Sequence, residues 1–501
     1  MQNLQFINEE VFVGMNDKLR PEYLKTGWCA DAKNAIFDRG FIDKRTGYTM
    51  IANDLGSKRG LGLGGFRSST GATKHLMAAF DNSGGSNAQL YYWPGSGNHT
   101  LITGSDIFTA DTNVNFEMAA AKIYAYNGVD SVQSWNGSSR ATVAAIPIVK
   151  CMKWFHNYMF AFNNPTYPSR LYFSNLTLPE TWGASDYIDI NPDDGDYGTA
   201  LAVLGDELIL GKRNRVWSFT GWGETTWDVK TINERVSGYG FVNHRAVVNV
   251  GNDLYYLSFV GDIPVVRSLL RTRYATVVAG GVISDDVEGT MRGLSKAQLE
   301  GNACSAFDGL IVWFFVPNGS STYNDLGLRY NTETKGWTRH TGINASCALT
   351  FVVSNLPEIY LGESQADSKV YKMDSSYSDN GAAIDWEFTG RKHQPSMAKK
   401  NKWKYLFAIG EEGTNTTVDV QASPDGISFE SLGELDLKMG EGIFPMDFSF
   451  ILGATDVVRE RFNAKYTSYG FQVKFANDTE LGPVGIRGYS LYHKPRSLRD
   501  A

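Results

Sequence analysis

Carboxylates crowd two short stretches of this sequence. The first stretch contains Asp186, Asp189, Asp193, Asp194 and Asp196, and the second contains Asp285, Asp286 and Glu288. Glycoside hydrolysis needs two carboxyl groups at a fixed separation across the scissile bond, so such crowding would permit that chemistry. Acidic loops between strands more often cap their own turns or face water. The ligand order of a calcium loop, D-x-[DN]-x-[DN]-G, is absent, so we expect structural carboxylates here, with acid–base catalysis as an alternative.

Histidine and cysteine spacing gives little sign of a metal or nucleophile site. The histidines are His75, His99, His156, His244, His340, His393 and His493, and none forms an H-x-x-x-H pair. The cysteines are Cys29, Cys151, Cys304 and Cys347, without a C-x-x-C pair. We predict buried free thiols of a protein made in a reducing cytoplasm. No G-x-S-x-G elbow or Walker loop is present. We therefore predict no catalytic residue, no metal site, no cofactor and no enzymatic activity.

The densest basic run is 391–404, which contains Arg391, Lys392, Lys399, Lys400, Lys402 and Lys404. Lysine is a common guard on strand edges, so a solvated loop or edge is the first interpretation. A subunit contact and a nucleic-acid contact are the alternatives. A second basic group, 212–215, sits inside a hairpin pattern and is predicted to be a charged turn.

Aromatic and glycine motifs have similar double interpretations. The tryptophans Trp217, Trp222 and Trp227 could stack sugars, but packing in a β core is favoured. The run 61–65 is rich in glycine but precedes no helical pattern, so we predict a loop or a loosely packed strand rather than a phosphate cradle. The stretch 423–429 departs from the Asp-box of sialidases, and we predict a plain hairpin with Asp425 and Gly426 in its tight turn.

The elements that must position these groups are almost all strands. Short aromatic or β-branched runs alternate with Gly, Asn and Asp turns, a pattern typical of hairpins. Hairpin cores begin near Leu90, Ile123, Tyr158, Leu208, Leu254, Leu310 and Ile359, at steps of 33 to 56 residues. That range brackets the period of one four-stranded propeller blade. We predict an all-β fold, an irregular β-propeller, with a string of sandwich domains as the competing topology.

Composition shifts divide the chain into three parts. Residues 1–60 are predicted as an N-terminal entry segment that forms part of the propeller, and 61–379 as the propeller itself, with a short helix over 291–299. A polar, glycine-terminated break at 375–381 has the character of a domain junction. Beyond it, runs with period-two alternation predict a β-sandwich or jelly roll over 380–501.

Charge and hydropathy exclude some classes of protein. The chain has 501 residues and a formal net charge of −7, which does not favour a duplex-binding protein that works by neutralising phosphates. Its N-terminus lacks a basic segment followed by an apolar stretch, so no signal peptide is expected. The longest purely apolar run, 310–316, is far below the roughly 20 residues of a membrane helix, so no stable membrane insertion is expected.

Six segments, taken in order, carry a family resemblance. They are Asn34–Tyr48, Leu171–Trp182, Leu204–Gly221, Gly251–Ser258, Tyr330–Trp337 and Leu361–Asp374. They resemble the tail nozzle proteins of short-tailed bacteriophages, also called packaged-DNA stabilisation proteins. Two departures are visible: Thr46 stands in place of the family's proline, and Ile263-Pro264 stands in place of its Gly-Val-Tyr.

The resemblance implies a six-bladed propeller with a β-sandwich appendage. It further implies a structural protein of the virion tail, made in the cytoplasm of the host bacterium, whose six copies form a ring that extends the portal and adaptor channel. The implied partners are other copies of the chain, the tail adaptor, the tail spike, fibre or needle proteins, and double-stranded DNA that passes without sequence readout and leaves at infection. Two alternatives stay open from the residues, a tail adhesin that binds host-surface carbohydrate and a carbohydrate-active propeller enzyme.

Overall fold

The computed structural model describes residues 4–55, 59–82, 85–104, 108–220, 231–275, 278–353, 356–365, 368–411, 416–437, 457–478 and 482–496. The N-terminal segment forms seven short strands. They are β1 Gln5–Glu9, β2 Gly14–Met15, β3 Trp28–Cys29, β4 Asp31–Lys33, β5 Ala35–Ile36, β6 Ile42–Lys44 and β7 Gly47–Met50.

Seven blade sheets follow along the chain. Blade 1 has β8 Gly60–Arg67, β9 Lys74–Asp81, β10 Asn87–Trp93, β11 Thr100–Leu101 and β12 Phe108–Thr109, and blade 2 has β13 Asn115–Ala119, β14 Lys122–Tyr126, β15 Gln133–Trp135 and β16 Arg140–Thr142. Blade 3 has β17 Cys151–Phe155, β18 Tyr158–Phe162, β19 Arg170–Phe173 and β20 Tyr187–Asp189, and blade 4 has β21 Gly198–Leu204, β22 Glu207–Lys212, β23 Arg215–Thr220 and β24 Thr231–Ser237. Blade 5 has β25 Val247–Val250, β26 Asp253–Val260 and β27 Ile263–Ser268, and blade 6 has β28 Cys304–Phe307, β29 Ile311–Val316, β30 Leu326–Asn331 and β31 Trp337–His340. Blade 7 has β32 Ala345–Phe351, β33 Glu358–Glu363 and β34 Val370–Ser376.

The blades close on themselves around one axis. Their first strands, β8, β13, β17, β21, β25, β28 and β32, contact one another in chain order, and β32 returns to contact β8. The prediction of an all-β, irregular propeller is confirmed. Six of the sheets contribute at least four strands, and blade 5 contributes three. Each of the seven hairpin cores found in the sequence lies in, or directly before, a strand of a different blade.

The N-terminal segment is shared between the propeller and the C-terminal domain. Strand β7 pairs antiparallel with β34, where Met50 lies opposite Tyr371, and so supplies the outermost strand of blade 7. Strands β1, β5 and β6 instead join a sheet of the C-terminal domain, while β2 and β3 pair with each other. The segment 1–60, predicted as an entry segment that forms part of the propeller, therefore has strands that pair with two different bodies.

The C-terminal domain contains two facing sheets. Its strands are β35 Trp386–Thr389, β36 Asn401–Glu411, β37 Thr417–Ser423, β38 Glu430–Asp436, β39 Val457–Asn463, β40 Thr467–Ser468, β41 Gln472–Asn477 and β42 Gly485–Pro495. The first sheet has the order β4-β35-β41-β37-β38, and the second, called here the outer sheet, has the order β39-β36-β42-β6-β5, with β1 on β42 and β40 on β36. Alternate residues of β36 are buried, which is the period-two pattern expected of sandwich strands.

Propeller and sandwich are joined by one continuous sheet. Strand β31 of blade 6 pairs in parallel with β4 at Arg339 and Lys33, so the sheet extends over nine strands. The guanidinium of Arg339 donates two hydrogen bonds to the Asp31 carboxylate, at 2.6 and 2.5 Å. One hydrophobic core runs through both bodies, with Trp337 on the blade side and Trp386 and Trp403 on the sandwich side. The two bodies therefore share one sheet and one hydrophobic core.

Helices are few among the described residues. They are α1 Leu269–Arg273, α2 Glu288–Arg292 and α3 Lys296–Asn302, with 3-10 turns at Pro21–Tyr23, His244–Ala246, Val278–Gly281 and Asp285–Val287. The single helix expected over 291–299 is thus two helices, because the chain leaves helical geometry between Arg292 and Lys296. All of these helices and turns, except the turn at Pro21–Tyr23, lie in the part of the chain between β24 of blade 4 and β28 of blade 6.

The glycine-rich run 61–65 lies in β8, the innermost strand of blade 1. A Cβ atom on Gly62 would lie 1.8 Å from the carbonyl oxygen of Val114, and one on Gly64 would lie 2.5 Å from Phe116. The innermost strands converge on the axis, so only a residue without a side chain fits between blades 1 and 2 at these positions. The glycines serve packing, not ligand binding.

Candidate functional site

The aspartates of 186–196 are bound within the fold. The carboxylate of Asp194 accepts two hydrogen bonds from the Lys212 ammonium, at 2.9 and 3.0 Å, and the Lys212 side chain is 0% exposed. The backbone oxygen of Asn191 accepts a third, at 3.0 Å. Burial raises the pKa of Asp194, but the bonds from Lys212 and from the N–H of Asp196 outweigh it and hold the pKa below its ordinary value. Lys212, predicted to be part of an exposed charged turn, is instead a buried cation that ties strand β22 to this loop.

Three neighbouring aspartates also have structural partners. Asp189 accepts a bidentate pair from Arg170, at 2.7 and 3.0 Å. Asp196 accepts from the N–H of Asn214 at 3.0 Å, and Asp186 accepts from the N–H of Gly183 at 2.7 Å. These contacts hold turns and neighbouring strands, which is the structural role expected for most of the stretch.

The second acidic stretch holds the N-terminal segment. Lys18 bonds to Asp285 and lies 3.1 Å from Glu288, and Asn16 donates to Asp286 at 2.6 Å. Burial, with the neighbouring Asp285 charge, raises the pKa of Asp286 above its usual range. The sequence distance of about 270 residues between the partners explains why no local pattern showed this role.

Most histidines lie in apolar packing. Burial lowers the pKa of His244 and of His393 to about 3, and that of His99 to about 4, so these rings are neutral near pH 7. His156 is the contrasting case, since its Nε2 lies 2.5 Å from the Asp206 carboxylate at a more exposed turn. His393 and His493 line one cavity of 670 Å³.

All four cysteines are buried free thiols, as expected. Burial raises the pKa of Cys151 and of Cys304 to about 12, so neither is a thiolate near neutral pH. Across the residues that the structure describes, no three His, Cys, Asp or Glu side chains form a group that could hold a metal ion.

One end of the propeller axis contains a polar cavity of 490 Å³ that the sequence did not indicate. It is lined by Asn113, Asn115, Asn127, Asn163, Asn243, His244, Arg245, Glu300 and others. The C-terminal end of α3 closes this end of the axis: Asn113 donates to the Gly301 carbonyl at 2.8 Å, and Arg213 bonds Glu300 at 2.7 Å. The Nη1 of Arg245 is buried without a partner. The cavity offers amide groups and a cation, and its one carboxylate, Glu300, is paired, so it lacks a free acid–base pair.

The asparagines around the axis join neighbouring blades. Asn115 of blade 2 donates to the Lys150 carbonyl beside blade 3 at 3.3 Å, and Asn324 of blade 6 donates to the Ala345 carbonyl of blade 7 at 2.7 Å. Asn243 donates to the Leu299 and Ala303 carbonyls, at 3.0 and 3.1 Å. A primary amide has two donors and an acceptor, which suits it to backbone groups left unpaired between blades. The sequence signal that could have indicated these contacts was the frequency of Asn near the ends of the first strand of each blade.

The basic run 391–404 has two parts. In the first, Arg391 bonds the buried Glu9 carboxylate at 2.6 and 2.7 Å, and Lys392 donates to the Asp425 carbonyl. In the second, Lys399, Lys400 and Lys402 are exposed, and Lys402 belongs to strand β36. Lys399 and Lys400 lie in a loop before this strand, which fits the interpretation as a solvated loop. Strand β36 is paired with β39 and β40 on one side and with β42 on the other, so Lys402 does not lie on a strand edge.

The remaining motifs are structural where the structure describes them. Asp425 accepts from the N–H groups of Ile427 and Ser428, at 2.7 and 3.0 Å, and these bonds lower its pKa to about 2. With Gly426 at φ +84°, this is the predicted tight turn, between β37 and β38. Trp217 packs in the core between blades 3 and 4, while Trp222 and Trp227 lie outside the described residues.

Comparisons with known proteins found distant structural likenesses only. No family model matches the chain, and no curated protein matches it. Among solved structures, the chain is similar to the WD40 β-propeller domain of Doa1, with a TM-score of 0.39 and 7% identity over 65% of this chain and 97% of that one. YCF48 bound to D1 peptide has a TM-score of 0.39 and 10% identity, over 69% of this chain and 98% of that one. The exo-β-1,3-galactanase of Phanerochaete chrysosporium has a TM-score of 0.27 and 8% identity, over 88% of this chain and 100% of that one. Likenesses this low bear on no function.

The described residues include no helix of the length and apolar character needed to cross a membrane.

Proposed function

We propose that this chain is a structural protein of a bacteriophage tail, and that its copies assemble into a ring that continues the channel through which packaged DNA leaves. The observation that carries the proposal is the nine-stranded sheet that runs from blade 6 into the sandwich. A shared sheet and a shared core resist bending between the two bodies, as a load-transmitting block requires. The propeller with a β-sandwich is also the architecture that the sequence resemblance implies.

An exposed apolar surface at one end of the sandwich supports an assembly role. This sandwich-end patch consists of Tyr23, Met397, Ile427 and Tyr469, of which Ile427 is 84% exposed. Lys392 connects the parts of this surface. Its backbone N–H donates to the Pro21 carbonyl, and its ammonium group donates to the Asp425 carbonyl. Clustered apolar side chains on a surface are typical of protein contacts, whereas single ones are not.

A second patch lies on the outer edge of blade 3. The exposed apolar side chains of this blade, called here the blade-3 patch, are Tyr167, Leu176, Leu178 and Tyr187, and Tyr187 belongs to the edge strand β20. Arg170 lies between two of its rings, 4.1 Å from the Tyr167 centroid and 3.7 Å from that of Tyr187. A cyclic ring joins two different surfaces of each subunit, so a chain with one patch on each body has the surfaces that such a ring needs.

The fate of the acidic stretches favours this role over the enzymatic alternative. Asp194 and Asp189 are each bound to a cation, and Asp286 serves the N-terminal segment. A general acid and base must face the substrate, and these carboxylates face their partners instead.

The proposal is tested by electron microscopy of the purified chain, alone and mixed with a portal–adaptor complex. We expect ring-shaped particles with one rotational order. Ile427→Glu and Leu178→Glu should each abolish rings while leaving a folded monomer, because both side chains are exposed. The control is Leu356→Glu, at a 71% exposed position of blade 7, which should still form rings. A chain that stays monomeric with and without tail components would overturn the proposal.

A further inference from the structure

The outward face of the outer sheet carries aromatic rings in one row. In the register of β1, β42 and β36, Phe6 lies opposite Tyr492, and Tyr492 lies opposite Tyr405. Residues paired across antiparallel strands point to the same side, so the three rings share one face. Phe407 adds a fourth ring from the next row, 5.3 Å from Tyr492, while Phe6 is 6.1 Å from Tyr492. Phe6 is 64% exposed and lies on a strand with no further partner among the described residues.

Cations flank this aromatic row on both sides. Lys402 and Lys494 lie directly opposite each other one row away, towards the end of β42. On the other side Arg461 lies opposite Phe407, with its guanidinium carbon 5.0 Å from the Tyr405 ring centroid, and Arg459 lies two residues before it. Neither of these lysines nor these arginines has a carboxylate partner in the described part of the chain. Glu411, at the end of β36, is paired with Arg487.

The lysine pair is unfavourable for folding by itself. Like charges directly opposite across two strands destabilise the pairing. A sheet could avoid this cost with any neutral residue at Lys402 or Lys494. Local features that oppose stability without compensation within the fold are typical of functional sites. A negatively charged ligand from outside the chain would compensate the two ammonium groups.

We propose that this face binds single-stranded nucleic acid, with bases stacked on the row of Phe6, Tyr492 and Tyr405 and with phosphates at the flanking cations. Aromatic platforms between basic groups are the usual means of holding an unpaired strand without sequence preference. An acidic protein segment would satisfy the lysines but has no flat groups for the rings of this row. A duplex would satisfy the cations too, but its bases are already stacked inside and cannot reach the rings. The inference does not rest on ring assembly, because every residue involved lies in one chain.

The test is fluorescence anisotropy with a labelled oligothymidylate and with a duplex of equal length, using the full chain. We expect the single strand to bind more tightly than the duplex. The logarithm of the binding constant should fall linearly with the logarithm of the salt concentration. Lys402→Gln combined with Lys494→Gln should lower the magnitude of the salt slope by about 1.4, since each phosphate contact to a single strand contributes about 0.7. Phe6→Ala should weaken binding between about fivefold and about a hundredfold with an unchanged slope.

Two matched variants serve as controls. Tyr274→Ala removes another exposed ring, 79% exposed beside α1, and Lys296→Gln combined with Lys335→Gln removes two cations from the propeller. Both should bind like the unaltered chain. Duplex binding as tight as single-strand binding, or full affinity in the Phe6 and lysine variants, would refute the proposal. Preferential binding of an acidic polysaccharide such as alginate, lost in the same variants, would reassign the face to a glycan and equally overturn it.

Discussion

Replacing Asp194 by Asn would leave the Lys212 ammonium inside the protein without its counter-charge. The Lys212 side chain is fully buried, and its other hydrogen-bond partner is the neutral carbonyl of Asn191. Removal of one member of a buried ion pair costs about 3–5 kcal/mol, because the remaining charge keeps its desolvation penalty. We expect a loss of that size in the free energy of unfolding, measured as a shift of the urea midpoint at constant slope by tryptophan fluorescence.

The matched control is Asp189→Asn, which breaks the more exposed pair with Arg170. Exposed pairs contribute about 0–1 kcal/mol, so this variant should lose far less stability. Adding Lys212→Met to Asp194→Asn removes the stranded charge and should restore much of the loss. Equal, small losses for the two aspartate variants would refute the reasoning that burial of Lys212 sets the magnitude.

The same pair predicts an acid dependence. The pKa of Asp194 lies below its ordinary value in the folded chain, because the bonds from Lys212 and Asp196 outweigh the opposing effect of burial. A group with a lowered folded pKa contributes stability that is fully present above its unfolded pKa, about 3.9, and is lost as pH falls through the folded pKa. The difference in stability between the unaltered chain and Asp194→Asn should therefore be constant near neutral pH and shrink below about pH 4.

Two further predictions follow from packing. Gly62→Ala should destabilise the chain by about 3 kcal/mol, because its Cβ would overlap the Val114 carbonyl oxygen. Gly301→Ala has no atom within 4 Å of the new Cβ and should be neutral or stabilising. Urea unfolding measures both changes. All four cysteines should resist a thiol reagent such as DTNB in the native chain at pH 8 and should all react in urea, since every thiol is buried; rapid labelling of Cys151 without denaturant would contradict the burial on which this rests.

Local chemistry was enough to predict the strands and the turns of this protein. Alternation of apolar and polar residues depends only on the two-residue repeat of a strand, so the hairpins near Ile123 and Leu254 and the sandwich strand at Trp403 were visible in the sequence. The turn at Asp425 and Gly426 was equally local, because an aspartate binds the backbone two and three residues on. The seven hairpin cores also corresponded to the seven blades.

Contacts between distant residues could not be predicted in the same way. Nothing near Lys212 in the chain marks it as buried, because its partner lies 18 residues away and the burial comes from neighbouring strands. The polar cavity at the axis and the division of the N-terminal segment between two bodies depend on where whole sheets meet. The aromatic and basic face combines β1 with strands almost 400 and 490 residues further on, and only strand register places Phe6, Tyr492 and Tyr405 in a row. Side-chain type is a property of sequence, but the alignment of side chains across strands is set by backbone hydrogen bonds between segments that the sequence keeps apart.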